Sequence, residues 1–267
     1  MSIQIRPIET FAEYLACKDL QHAVWGPFGA TPQHVLVTAQ KNGGLVLGAF
    51  DTAAPATPLI GFVFGFLGRT PQGYIKHCSH MAAVLPAYRD RNIGALLKLA
   101  QREHVAAQGI DLITWTYDPL LSRNARLNIR KLGAVCCTYY RNVYGPDPET
   151  PAELPSDRFQ VEWWITSEHV AQRLAAGAIS TPEDVRAGSL VLNPTPTEPH
   201  APLSGPRLLL QIPADIDALK AADMATARAW RYQVRAAAEA AFAAGYVITD
   251  YVRDGEVGLY LLEHGVG

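Results

Sequence analysis

The sequence is poor in cysteine, has no surplus of charge of either sign, and contains no long apolar run. Four cysteines occur in 267 residues. None of them forms a Cys-x-x-Cys pair, and Cys136 and Cys137 are adjacent, so they point to opposite faces of a strand. A disulfide framework is therefore not expected, which agrees with a reducing compartment. His77, Cys78 and His80 lie close together, but no second ligand pair follows at zinc spacing, so no metal is expected. Lys and Arg total 23 against 25 Asp and Glu, a net charge of −2. Sequence-blind binding of nucleic acid and polybasic attachment to a membrane both need a basic excess that is missing here. The longest apolar stretch, residues 59–67, is strand-sized and far below a bilayer span. Residues 1–7 carry no apolar signal core, so a cytoplasmic location is expected. No fixed-period repeat is visible.

Hydrophobic residues are plentiful, at 49%, and charged ones make up 18%. That is enough apolar material for a core in one large or two small domains. Alternation at residues 3–7 predicts a strand. Thr10 with Glu13 predicts a capping box and a helix ended at Trp25-Gly26-Pro27. Thr31-Pro32 opens a second helix with Pro at its first position. Strands are expected at 45–50, 59–67 and 74–85. Gly61 and Gly65 mark a bulge or a close backbone approach in the second of these. After a polar turn at 86–92, a helix is expected over 93–108, a strand over 110–117, a helix over 122–132 and a strand over 135–144. Four prolines in 145–155 suggest a linker and a boundary near residue 150, giving domains 1–150 and 151–267. The second half begins with an aromatic strand over 158–166 and a helix at 168–176. It closes on a β-α-β-β pattern: a strand at 207–212, one long helix within 214–244, and strands at 246–252 and 257–262.

The chemically informative segment is the strand–turn–helix around residues 80–97. A tight turn leading into a helix N-terminus gathers backbone N–H groups and partial positive charge, which suits an anion such as a pyrophosphate. Arg89 and Arg91 add charge-assisted contacts, with Asp90, Asn92, Ile93, Gly94 and Ala95 completing the cradle. The bland alternative is an ordinary β-α connection.

The run Arg89-Asp90-Arg91-Asn92-Ile93-Gly94 resembles motif A of the GNAT (Gcn5-related N-acetyltransferase) superfamily, Gln/Arg-x-x-Gly-x-Gly/Ala. Asn92 replaces the middle glycine, and Asn tolerates the left-handed region. Downstream, Ser122-x-x-Ala125-x-x-x-Ile129-x-Lys131-Leu132-Gly133 resembles the family's Asn-x-x-Ala-x-x-x-Tyr-x-Lys-Leu-Gly. The resemblance covers residues 3–145. It implies an α/β (α+β) GNAT fold, with a central mixed, mostly antiparallel sheet flanked by helices, here followed by the C-terminal β-α-β-β extension. It also implies acyl transfer from acetyl-CoA or another acyl-CoA to an amine, and no metal. Trp115-Thr116-Tyr117-Asp118-Pro119-Leu120 and Val161-Glu162-Trp163-Trp164 resemble a larger GNAT-like group whose members are similar to acyltransferases of amino acids, N-succinylation included. The acceptor implied is therefore a small amine or amino acid. The alternatives are a non-catalytic acyl-CoA-binding module and a protein-lysine acetyltransferase.

By the same resemblance, Ala82, Ala83 and Val84 supply N–H groups to the acyl carbonyl, and Asn124 lies toward the cofactor. His80, read as sharing strand parity with Ala82 and Val84, is the leading candidate for the general base, the alternative being a core or CoA-lining histidine that moves no proton; Glu162, Asp118 and His77 are its rivals. The family's tyrosine acid is Ile129 here, so Tyr117, Asn124 and Asn128 are its nearest substitutes. A thiolate with a pKa of about 8.5 leaves with little protonation in any case. Cys78 is either a nucleophile or a small buried apolar residue, the second being the commoner role. Arg228, Arg231 and Arg235 recur at helical spacing, as a solvated face or as a carboxylate-binding patch. One of Trp163 and Trp164 is expected in the core, leaving the other for a cleft or a homodimer contact.

Overall fold

The computed structural model describes residues 2–26, 30–145, 154–176 and 180–264. The chain divides into two compact units, residues 1–115 with 164–166, and residues 116–163 with 167–267.

The first unit is a sheet in the order β1 (Ile3–Pro7), β2 (Leu45–Asp51), β3 (Leu59–Arg69), β4 (Ile75–Val84), β5 (Leu112–Tyr117). All neighbours are antiparallel except β4 and β5, which run parallel. Helices α1 (Phe11–Trp25) and α2 (Gln33–Lys41) bury Tyr14, Cys17, Leu20 and Leu36 against Val46, Phe62 and Phe64 on one face. Helix α3 (Ile93–Ala107) buries Ile93 and Leu97 against Leu47, Ile60 and Val63 on the other. Each such side chain removed from water contributes about 1.5–3 kcal/mol. The Thr10–Glu13 capping box forms as expected. Pro32 is the N-cap of α2 and not its first helical residue.

Both glycine signals in β3 correspond to irregular registry. Ala49 pairs Gly61 while Phe50 pairs Leu59, which bulges β3 at Ile60. At Gly65 a side chain is forbidden, because an added Cβ would lie 2.7 Å from the Cys78 carbonyl oxygen.

The second unit is ordered β7 (Arg158–Trp164), β6 (Val135–Tyr140), β10 (Tyr246–Asp254), β11 (Val257–His264), β9 (Arg207–Pro213), β8 (Leu190–Val191). Its compactness moves the boundary from the expected residue 150 to 115. The reason is that β6 pairs with both β7 and β10, so residues before the proline-rich segment join the C-terminal half. That segment lies largely outside the described residues. The expected single helix within 214–244 is two, α7 (Ile216–Ala222) and α8 (Met224–Ala243). Asp223 takes an extended backbone between them and accepts the Thr226 N–H at 3.0 Å as the N-cap of α8. The expected helix over 122–132 is α-helical only at Ser122–Ala125 (α4) and continues as a π-helical stretch, Arg126–Lys131, stopped by Gly133 at φ 70°. Helices α5 (Glu168–Ala176) and α6 (Pro182–Arg186) complete the unit. No helix of the described residues is long and apolar enough to cross a membrane.

Candidate active site

The β3–β4 registry pairs Phe64 with Met81 and Gly65 with Ser79, so His80 has no opposite residue. It is the extra residue of a bulge, a device that re-aims a side chain. The bulge corrects the expected parity. Val84 packs toward α3 with Leu97, whereas His80 faces the α2 side with Phe64 and Phe66. Its ring lies 5.8 Å from each phenyl ring, edge-on to Phe64. One side of the imidazole is open to solvent, yet withdrawal from water among these rings lowers its pKa below the ordinary value. It is therefore neutral at pH 7 and able to accept a proton. A cleft of ≈ 550 Å³ opens beside it, walled by His34, Val35 and Thr38 of α2 and by Phe64 and Phe66 of β3.

On the other side of the bulge, β4 parts from β5. The two pair at His77–Ile113 and Cys78–Thr114, and no residue of β4 beyond Cys78 is registered with β5 among the described residues. The edge carrying Ala82, Ala83 and Val84 is thus open on that side while its other edge stays bonded to β3. An open strand edge presents N–H donors to a ligand.

The turn that follows β4 is strained. A 3₁₀ turn at Pro86–Tyr88 leads to Asp90 at φ 60° and Asn92 at φ 61°, two left-handed non-glycine residues within three positions. Such strain concentrates at ligand-binding loops. Asn92 heads α3 without a side-chain capping bond to the first turn. The N–H groups of Ile93, Gly94 and Ala95, which have no acceptor inside a helix, are therefore directed at whatever stands before the helix. The Arg91 guanidinium packs 5.2 Å from the Tyr88 ring. A shallow cleft of ≈ 390 Å³ adjoins the turn, lined by Tyr88, Arg91 and Asp51. The turn thus presents N–H donors to an anion, and Asn92 takes the left-handed conformation that a glycine takes without strain.

The other sequence candidates fall elsewhere. His77 is fully buried, with Nε2 3.1 Å from the Gln101 amide. Burial, then the Lys98 and His104 charges, lower its pKa to about 4. Tyr117 lies in the core of the second unit, where its hydroxyl donates to the Tyr260 hydroxyl at 3.2 Å. Burial raises its pKa well above the ordinary value, so the phenol that was the nearest substitute acid is enclosed in packing. Asp118 accepts Arg231 at 2.6 Å and the Leu120 N–H at 2.9 Å. Glu162 is half-buried on β7, registered with Val135. Asn124 lies on α4 in the second unit, and Asn128 is buried in the π-helical stretch. Cys78 is a free thiol, partly buried, with its Sγ occupying the space a Gly68 side chain would take. Among the described residues no cluster of three or more His, Cys, Asp or Glu is placed to hold a metal.

Arg231 and Arg235 of α8 form neither a solvated face nor an open cationic patch, and Arg228 is half-buried on the same helix. Arg231 is 1% exposed and paired with Asp118, and Arg235 grips Asp157 with two N–H groups at 2.8 Å each. Trp163 is the buried tryptophan, donating to the Leu132 carbonyl at 2.8 Å, and Trp164 is exposed.

No family model and no curated protein matches the sequence. Solved structures do match the fold. The NatC complex bound to Gag peptide and CoA aligns with TM-score 0.51 and 16% identity, over 62% of this chain and 100% of that one. NAA60 of Arabidopsis thaliana in complex with acetyl-CoA aligns with TM-score 0.51 and 13% identity, over 61% of this chain and 99% of that one. The fold is that of the GNAT N-acetyltransferases, with further chain beyond it.

Proposed function

We propose that this protein is an acyl-CoA-dependent N-acyltransferase that moves an acetyl or succinyl-like group directly to the amine of a small molecule or amino acid. The observation that carries this reading is the conjunction, in one unit, of an open β4 edge, a strained turn before α3 and a bulged His80 facing a cleft.

The chain's own residues divide the work. The first-turn N–H groups of α3 with Arg89 and Arg91 hold the pyrophosphate. Donors along Ala82–Val84 stabilise the oxyanion, worth a few kcal/mol when preorganised, roughly 3 for a single donor. His80, neutral in its aromatic setting, takes the proton of the attacking amine. The bound thioester supplies the electrophilic carbonyl. Glu162 stays an alternative base, and Asn124 a further cofactor contact, as proposals of the resemblance. The NatC structure was solved with a peptide, which favours a peptide amine as the second acceptor class. A cytoplasmic site of action agrees with free thiols at Cys17, Cys78, Cys136 and Cys137.

Acetyl-CoA and succinyl-CoA at about 100 times Kd are expected to stabilise the protein by roughly 2.7 kcal/mol. If no CoA ester raises the melting temperature at millimolar concentration, the cofactor assignment fails. Thiol release with a panel of amines and peptides separates an enzyme from a binding module. His80→Ala is expected to lower kcat/KM by about 10²-fold or more, with the acidic limb of the wild-type pH profile lying below the usual imidazole range. A loss under about threefold removes His80 from the base role.

A further inference from the structure

The second unit holds a polar depression that acyl transfer does not use. It has a volume of ≈ 230 Å³ and lies among the start of α4, the connection between β9 and α7, and the end of β10. Arg123, Arg126 and Arg253 line it, with Ser122 and Tyr251. The Arg130 guanidinium holds the helical segment to β10 through the Tyr251 carbonyl at 3.0 Å, and Arg126 opens the π-helical stretch. Stretches of π-helix are frequent at functional sites.

The charges there are unequal in their commitments. Asp215 accepts the Ala218 N–H at 3.0 Å to cap α7, and Asp217 is shared between Lys220 at 2.9 Å and Arg123 at 3.3 Å. Arg253 donates only to the Gly255 carbonyl, at 3.2 Å, and Arg126 enters no ion pair or hydrogen bond among the described residues. Two guanidinium groups are therefore left for a ligand. Behind them Tyr251 is 2% exposed, and its hydroxyl lies against the Ser122 hydroxyl without a partner at good hydrogen-bond geometry. A buried hydroxyl whose bond is this poorly made leaves room for a further polar atom. The Ser122 hydroxyl stands beside it and already donates to the Pro213 carbonyl at 3.2 Å.

We propose that this depression binds a small oxyanion, a phosphate or a short carboxylate, through Arg126 and Arg253 with the Tyr251 hydroxyl at its base. Guanidinium forks match both ions in a bidentate manner. The volume is below that of ordinary organic-ligand pockets, about 300–1,000 Å³, which points to a compact ion.

Calorimetric titration of the full chain with inorganic phosphate and with succinate, against sodium chloride at matched ionic strength, tests the site. Saturable binding of either ion is expected, and which of them binds identifies the ligand as tetrahedral or planar. Affinity is expected to fall at least tenfold in Arg126→Ala/Arg253→Ala and about threefold in Tyr251→Phe, which keeps the ring in place. Arg89→Ala/Arg91→Ala, which alters the turn before α3, is expected to leave it unchanged. A response equal to that of chloride, or one that survives the Arg126/Arg253 substitutions, overturns the proposal. So does a response abolished by the Arg89/Arg91 pair, which would place the ion at the α3 turn. Arg126 and Arg253 are both exposed, so the double variant is expected to fold. Should it not, Tyr251→Phe and Arg126→Gln carry the same comparison.

Discussion

Lys98→Met is expected to stabilise the protein at neutral and acidic pH by on the order of 3 kcal/mol. Lys98 is 3% exposed within the first unit. Its ammonium donates to Ser79 Oγ at 2.7 Å and Gln101 Oε1 at 3.3 Å, and lies 3.7 Å from the Trp115 ring centre. It makes no ion pair among the described residues, and burial lowers its pKa to about 7. Its titratable neighbour His77 has a lowered pKa and is neutral at pH 7, so no opposite charge faces the ammonium from that side. Two neutral acceptors and a ring face repay only part of the cost of dehydrating an ammonium. In the unfolded chain the same group titrates near 10.4. Between those values the unfolded state binds more protons than the folded one, so the Lys98 contribution rises with pH above about 7 and is fully unfavourable below it. Methionine removes the charge, keeps the length and places sulfur on the indole. Ser79 and Gln101 keep their own bond at 2.9 Å. Melting temperatures of the two proteins from pH 6 to 8.5 provide the check. The gap is expected to be widest at pH 6 and to narrow with rising pH. The difference is the informative quantity, because the buried Cys136 thiol, whose pKa is raised by burial, works in the opposite direction as pH rises. A variant that melts lower than the wild type at pH 6 would show that the ammonium is compensated.

Asp157→Ala is expected to destabilise the second unit by about 3–5 kcal/mol, the usual cost of removing one partner from a buried ion pair. The carboxylate is inaccessible to solvent and has four donors: the Tyr139 hydroxyl at 2.6 Å, the Asn142 N–H at 2.9 Å, and two Arg235 N–H groups at 2.8 Å each. Burial alone would raise its pKa, but Arg235, Tyr139 and Asn142 outweigh burial and hold it below the ordinary range. The stabilisation is therefore present above the unfolded value of about 3.9 and is lost as pH falls through the lower folded value. Urea midpoints at pH 7 measure the loss. Asp157→Asn, which preserves shape but not charge, is expected to lose less and to flatten the decline toward acid. The solvated pair of Arg123 with Asp217 serves as contrast, its removal expected to change stability by under about 1 kcal/mol.

Much of the first unit was legible in the sequence because its signals are local. Thr10 with Glu13 caps a helix, alternation marks a strand, and the polar run before Ile93 marks a turn. Registry was less legible. Gly65 showed that something irregular occurs in β3, but which residue of β4 became the extra one depends on pairing, and that reversed the face assigned to His80. The Lys98, Ser79, Gln101 and His77 cluster left no trace in the sequence, since Lys98 sits on α3 in a spacing that reads as an ordinary amphipathic helix. The α8 arginines were misread for the complementary reason. Their partners, Asp118 and Asp157, are 113 and 78 residues distant along the chain. The expected boundary differs from the observed division because proline content reports local extension, whereas compactness follows from β6 pairing Cys136 with Ile248, 112 residues later.

The interleaving of the two units has a practical consequence for dissecting this protein. Residues 164–166 belong to the first unit, where the Ile165 carbonyl receives two N–H groups of Arg102 at 2.9 and 2.7 Å and its own N–H reaches the Asp111 carbonyl at 2.8 Å. A chain cut at the proline-rich segment would strip that clamp from one half and strand β6 from the other. Neither product would be a natural folding unit, so genetic separation of the halves calls for permuting the termini or supplying the missing strand in trans, not for simple truncation.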